Sequence, residues 1–219
     1  MLRNLVIYGG TFDPPHNGHI NTAINVQNHF NFDCFLFLPC KTPVLKNHAV
    51  ATPEQRIQML KLALASQSKQ NNFKIDLSEI HRATPSYMVD SLQHFRKEYG
   101  ENVAITLLMG ADAFSQLPRW HAWRKLLTLA NLLVIKRAGF TEETNDALIK
   151  ALLLKHETHD DTAMTKQPHG LIYRFDAGNF NFSSTWIREQ LGENRDLTDF
   201  LPQAVIRYIK RESLYSKQS

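Results

Sequence analysis

The stretch YGGTFDPPHNGHIN, Tyr8 to Asn21, decides how this chain is read. The residues before it, RNLVIYG, form a short apolar run that reads as a buried strand. The residues after it place Ile20, Ala23, Ile24 and Val26 close to helical spacing. The stretch is therefore a hand-over from strand to helix, with Asn17 as the expected N-cap. Gly9 and Gly10 leave the backbone open to close approach by a ligand. The first amides of the helix should face the same rim and favour an anion. His16 and His19 are three residues apart and share a face, with Gly18 leaving room between them. Two imidazoles there suit the charge that develops on a phosphoryl group under attack. A packed core histidine or a zinc pair are the competing readings. Cys34 and Cys40 lack the spacing that a zinc site needs.

Working outward, apolar runs alternate with helical patterns. CFLFLP is a second strand, and Thr52 caps a helix with Pro53 at its first position and Gln55 closing a capping box. FKIDLS is a third strand, TPSYMVDSLQHFRKEYG a helix ending at Gly100, and VAITLLMG a fourth strand. RWHAWRKLL reads as a short helix and NLLVIKR as a fifth strand. TEETNDALIKALLLKH looks helical, ETHDDTAMTKQPHG is polar and reads as a loop, and LIYRFDAGNFNFS carries strand-like aromatic residues. SSTWIREQLGEN and LPQAVIRYIKRESLY are two C-terminal helices. The alternation predicts a doubly wound α/β fold with a parallel sheet. Ligands of such sheets sit beyond the carboxyl ends of the strands. Gly9-Gly10, Pro39-Cys40, Gly110-Ala111 and Lys136-Arg137 should converge there.

The chain has 219 residues, 43% of them hydrophobic and 21% charged, which suits one globular domain over residues 1–219. No apolar run approaches a membrane span, and the N-terminus lacks a signal-peptide cleavage site. Two cysteines read as reduced thiols of a cytoplasmic protein. The formal net charge is +4. The basic residues are dispersed, with no stripe that would suit nucleic acid, whereas a small anionic ligand accounts for the same excess.

GGTFDPPHNGH closely resembles the signature of the nucleotidyltransferases that carry an H-x-G-H motif. The resemblance implies a Rossmann-like fold and transfer of a nucleotidyl group from a nucleoside triphosphate, with release of pyrophosphate. FNFSSTWIREQL resembles the second motif of that superfamily, I-S-S-T-x-I-R, with Phe182 in place of Ile. LPCKTPVLKNHAVATPEQRIQML, HRATPSYMVDSL, LLMGADAFSQLPRWHAWRKLL and NLLVIKRAG resemble successive segments of bacterial-type nicotinate-nucleotide adenylyltransferases. The resemblance runs from about Leu2 to Tyr215 and is weakest between Gly139 and Gly170.

It implies the substrates ATP and nicotinate mononucleotide, magnesium carried with ATP, and no metal site built from the protein. It implies catalytic roles for His16, His19, Lys46 and Arg188. Ser184 and Thr185 would sit at the triphosphate, Ile187 would bind substrate, and Gly9, Gly10, Thr11, Phe12 and Gly18 would lie near the phosphates. Trp120 would offer a flat face to the pyridine ring, with Tyr87 and Met88 shaping that pocket. Gly110 and Asp112 would lie at the ribose, and Arg137 at a phosphate or the adenine. Two positions depart from the family: Leu45 stands where a His is common, and Met88 where a Thr follows Pro-Ser-Tyr.

Overall fold

The computed structural model describes residues 3–43, 49–65, 67, 71–136, 146–178, 180, 182–193 and 195–216. Lys46 and Arg137 lie outside the described residues. In chain order the elements are β1 (Asn4–Gly10), α1 (Asn17–Phe30), β2 (Cys34–Pro39), α2 (Pro53–Leu64), β3 (Phe73–Ile75), α3 (Ser78–His81), α4 (Met88–Tyr99), β4 (Ala104–Gly110), α5 (Ala111–Ser115), α6 (Leu126–Leu129), β5 (Asn131–Ile135), α7 (Ala147–His156), β6 (Ile172–Phe175), α8 (Ser184–Gly192) and α9 (Gln203–Arg211). The six strands form one sheet in the order β3-β2-β1-β4-β5-β6. Every pairing is parallel. This is the doubly wound order expected, and its direction reverses between β1 and β4. The crevice at that reversal is where ligands of such sheets bind.

Parallel strands are covered on both faces, so their sequences read as continuous apolar runs. Successive residues still alternate between the faces. Val6, Phe35, Phe37, Leu108 and Leu133 pack in one buried cluster that includes Ala23 and Val26 of α1 and Met59 and Leu60 of α2. Leu5, Ile7, Leu36, Leu107 and Leu132 pack in a second, with Leu92 and Phe95 of α4. Gly10 pairs with Pro39, and Gly110 with Ile135. The strand ends therefore share a rim, as the sequence implied.

Several expectations need correction. The N-cap of α1 is His16, and Asn17 instead donates through Nδ2 to the carbonyl of Asp199 at 2.8 Å. The helix expected from Thr84 begins at Met88, beyond Pro85, because the residue before a proline avoids helical geometry. Trp120-His121-Ala122 is not helical: Ala122 sits at φ +48° and α6 starts only at Leu126. The polar stretch after α7 holds a 3₁₀ turn, Asp161–Thr165, whose Met164 is fully buried.

Two buried arginines hold the ends of the sheet. At the carboxyl rim, Arg56 of α2 donates to the carbonyls of Thr11, Cys40 and Lys41 at 2.7, 2.8 and 3.0 Å. At the amino rim, Arg96 of α4 donates to those of Gly100, Val103, Leu129 and Pro168 at 3.1, 2.6, 2.7 and 2.5 Å. Burial lowers the pKa of Arg96, and the charge of Glu101 partly offsets this. Arg96→Met should remove the guanidinium that bridges these carbonyls and cost about 2–4 kcal/mol. Urea unfolding checks this. Turnover by the folded fraction should stay normal, because Arg96 lies at the rim away from the crevice.

Candidate active site

The site is built on how α1 starts. His16 has extended backbone (φ −136°, ψ 169°), and its Nδ1 accepts the backbone N–H of His19 at 3.3 Å. The Nδ1 of His19 accepts the backbone N–H of His16, also at 3.3 Å. This is a capping box, normally made by a hydroxyl and a carboxamide or carboxylate, here made by two imidazoles. It brings the rings face to face, 3.7 Å apart and 33° from parallel. A neutral imidazole whose Nδ1 accepts a hydrogen bond carries its proton on Nε2. Folding thus selects the same tautomer in both rings and leaves each with Nε2–H as its donor.

The sequence reading left α1's first amides to an anion. Two of them are already engaged: His19 N by the cap, and Asn17 N by the carbonyl of Phe200 at 2.8 Å. Gly18 also serves differently from expectation. A Cβ there would lie 3.0 Å from His16 Nδ1 and 3.2 Å from Phe180 Cβ. The room that glycine leaves is filled by the His16 ring itself.

Both histidines line an open cleft of about 430 Å³ at the β1/β4 reversal. Tyr8, Gly18 and Thr22 stand on the same side, and Gly110, Ile135 and Lys136 come from the ends of β4 and β5. Gly178, Phe180 and Phe182, from the segment after β6, supply an aromatic wall. That segment is tied to α1 by Asn25 Nδ2, which donates to Ala177 O at 2.8 Å. Phe182 meets the His16 ring edge-on at 5.2 Å. Phe12 does the same to His19 at 5.1 Å, and its left-handed backbone (φ +51°) is strained for an aromatic residue.

Behind the histidines lies a buried carboxylate. Asp13 accepts from Val50 N at 2.7 Å, Ala51 N at 3.2 Å and the Tyr215 hydroxyl at 2.6 Å. Arg188 Nη1 lies 3.8 Å from its Oδ2 and donates to its carbonyl at 2.7 Å. Arg188 Nη2 also donates to Thr185 Oγ1 at 3.3 Å, and Ser184 Oγ to Pro14 O at 3.0 Å. The second motif is thereby docked onto the first. The Ile187 side chain is fully buried, and its amide donates to Ser183 O at 2.9 Å.

The remaining residues lie along the rim. Met88 Cε would be 2.8 Å from a Cβ on Gly9, so the methionine lies across the first glycine. Gly10 is covered by the Phe12 ring, which is why the Phe12 side chain is buried and not offered to ligand. Thr11 Oγ1 accepts from Cys40 Sγ at 3.7 Å. Burial pushes the Cys40 thiol up in pKa. Trp120 and Trp123 are both half-buried against the second core cluster. Tyr87 stacks at 4.4 Å on His121, a residue that the sequence reading passed over. Glu79, with its pKa raised by burial, accepts from Ser91 at 2.5 Å, and Arg82 donates to the same hydroxyl at 2.6 Å, bracing the turn before Tyr87. Asp112 stands in the first turn of α5, beyond Gly110.

Tyr8, Thr22, Phe180, Asp13, Arg56 and Tyr215 were also missed as site residues. Thr22 had a signal: it lies three residues after His19, on the same helical face. Tyr215 had none, since its partner is distant in sequence.

A doubly wound sheet, a cleft at its reversal point and paired imidazole donors define a nucleotidyltransferase. The chain belongs to the cytidylyltransferase-like family, which it matches over residues 7–190, and to the branch whose members are named nicotinate-nucleotide adenylyltransferases. It is 44% identical to a probable enzyme of that name from Legionella pneumophila (strain Corby), covering 98% of this chain and 100% of the relative. It is 41% identical to one from Methylococcus capsulatus, covering 96% and 99%. The solved Plasmodium falciparum nicotinic acid mononucleotide adenylyltransferase complexed with NaAD superposes with a TM-score of 0.70 at 21% identity, covering 97% of each chain.

Gly18→Ala should separate stability from activity. Alanine favours a helix by roughly 1 kcal/mol over glycine, which offsets the strain of the intruding methyl. The melting temperature should change little. Turnover should fall at least ~10-fold, because the His16 ring must shift from its capped position. A melting scan beside a rate measurement checks both.

Proposed function

We propose that this enzyme transfers the adenylyl group of ATP to nicotinate mononucleotide, giving nicotinate adenine dinucleotide and pyrophosphate, in the cytoplasmic synthesis of NAD. The observation that carries the reading is the reciprocal imidazole cap at the mouth of the β1/β4 crevice. It fixes two Nε2–H donors in one wall of an open cleft, in a chain whose near-full-length relatives bear this activity in their names.

The acceptor phosphate oxygen forms a bond to the α-phosphorus while the bond from that phosphorus to the bridging oxygen of pyrophosphate breaks. The nucleophile is already anionic, so no general base is required. Positioning and charge neutralisation remain to be supplied. His16 and His19 donate to phosphoryl oxygens as charge shifts towards the leaving group. Arg188 adds a cation beside Ser184 and Thr185 at the head of α8. Lys46 and Arg137 join by family resemblance. Magnesium carried with ATP neutralises phosphate charge and takes its ligands mainly from phosphates and water. Asp13, the buried carboxylate of this turn, is engaged by two backbone amides and the Tyr215 hydroxyl. Trp120, Tyr87 and Met88 line the acceptor end, with Thr11, Gly9 and Gly10 at its phosphate and Asp112 at a ribose.

Pyrophosphate release should be fast with ATP, magnesium and nicotinate mononucleotide, and clearly slower with the amide form. Absence of release with both, in protein that binds ATP, overturns the reading.

His16→Asn separates capping from chemistry. Asparagine is a good N-cap and should accept the same amide, holding stability within about 1 kcal/mol. It has no Nε2–H at the imidazole's reach, so turnover should fall by about two orders of magnitude or more. Near-normal turnover in the folded variant would remove His16 from the mechanism.

A further inference from the structure

The chain does not trail away after α9. Ser213 and Tyr215 take left-handed backbone, φ +52° and +63°, and Leu214 N donates back to Ile209 O at 3.0 Å. Non-glycine residues adopt that conformation rarely, so the reversal has to be held by what it delivers. It delivers the Tyr215 hydroxyl to Asp13 Oδ1 at 2.6 Å, across 202 positions of sequence. Met59 Sδ lies 4.0 Å from the same hydroxyl. Burial first, and then the negative charge of Asp13, push the phenol strongly up in pKa, so it stays protonated and donates.

Asp13 is shared between three structures that meet behind the histidines. Its Oδ2 takes the amide of Val50, and its Oδ1 that of Ala51, just ahead of α2. Arg188 Nη1 is held by its carbonyl at 2.7 Å and lies 3.8 Å from Oδ2. We infer that Tyr215 is a positioning residue of the active site: its hydroxyl satisfies Asp13 and so leaves Arg188 available to the triphosphate. The inference rests on the reading that Arg188 meets ATP.

The physical argument is a competition. Asp13 and the nucleotide both attract one guanidinium. A carboxylate with its lone pairs filled by neutral donors attracts a neighbouring cation less than one left short. Without the hydroxyl, Oδ1 keeps, among the described residues, only the Ala51 amide at 3.2 Å. Asp13 then draws Arg188 in, and ATP must displace it. The imidazole pair and the acceptor end are not part of this exchange.

Tyr215→Phe removes the hydroxyl and keeps the ring. It should raise the Kd for a non-hydrolysable ATP analogue, and the KM for ATP, about 5- to 10-fold. The KM for the mononucleotide should change less than 2-fold and kcat less than 3-fold. Leu214→Ala controls for docking of the tail: it should lower the melting temperature and leave ATP affinity alone. In an Asp13→Asn background, Tyr215→Phe should have no further effect on ATP affinity. Unchanged ATP affinity in Tyr215→Phe, an equal loss in Leu214→Ala, or a full effect persisting without the Asp13 carboxylate would each overturn the inference. The binding measurement needs no acceptor. A wild-type protein that binds the analogue but forms no product would therefore refute the proposed reaction while still testing Tyr215.

Discussion

A helix that begins against a buried strand has amides that water cannot reach, and every one of them must find an acceptor. Here that need is met by the two side chains that face the cleft. His16 Nδ1 takes the amide of His19, and His19 Nδ1 takes the amide of His16. The same bonds that start α1 fix the rotamers, the spacing and the tautomer of both rings. The stacked rings, 3.7 Å apart, then dictate their surroundings. A Cβ at position 18 would crowd the His16 ring. Phe12 must turn its ring onto His19 and accepts a left-handed backbone to do so. Phe182 closes the other edge.

Around this start the rim is laced by long side chains that reach backbone. Arg56 spans from α2 to the ends of β1 and β2. Asp13 spans from the β1 turn to residues 50 and 51, α8 and the C-terminus. A loop held only by its own turns would fray on fast timescales. Here each rim loop is tied to a helix whose other face is in the core. Arg96 does the same work at the opposite rim.

The sheet was legible because its strands are sandwiched on both faces and so appear as unbroken apolar runs, CFLFLP and VAITLLMG among them. Thr52-Pro53 and Gly100 marked helix ends with residues whose chemistry is specific to those positions. The histidine pair was legible as chemistry but not as structure. Histidine is not a usual N-cap, so Asn17 took the role on propensity alone. Arg56 reads as the polar face of an amphipathic helix, yet it is 1% exposed, because the carbonyls it serves come from two other segments. Asp13 and Tyr215 meet only after the whole sheet has formed, and nothing local in either sequence announces the other. Met88 and Ile187 were assigned to ligand by motif position. Met88 lies across Gly9, and Ile187 packs in the core.

These placements share a logic that bears on rate. A phosphoryl transfer with an anionic nucleophile asks little covalent chemistry of a protein and much of its geometry. Donors that are free to reorient would have to be ordered, at entropic cost, each time a transition state forms. Donors already bonded through Nδ1 have lost that freedom during folding, where the hydrophobic core behind β1 and α1 offsets the loss. The strain at Phe12, the uncommon histidine cap and the crowded glycine are then not separate oddities. They are the local costs of holding two Nε2–H groups still, and they cluster within ten residues because the ordering has to be done where the charge appears.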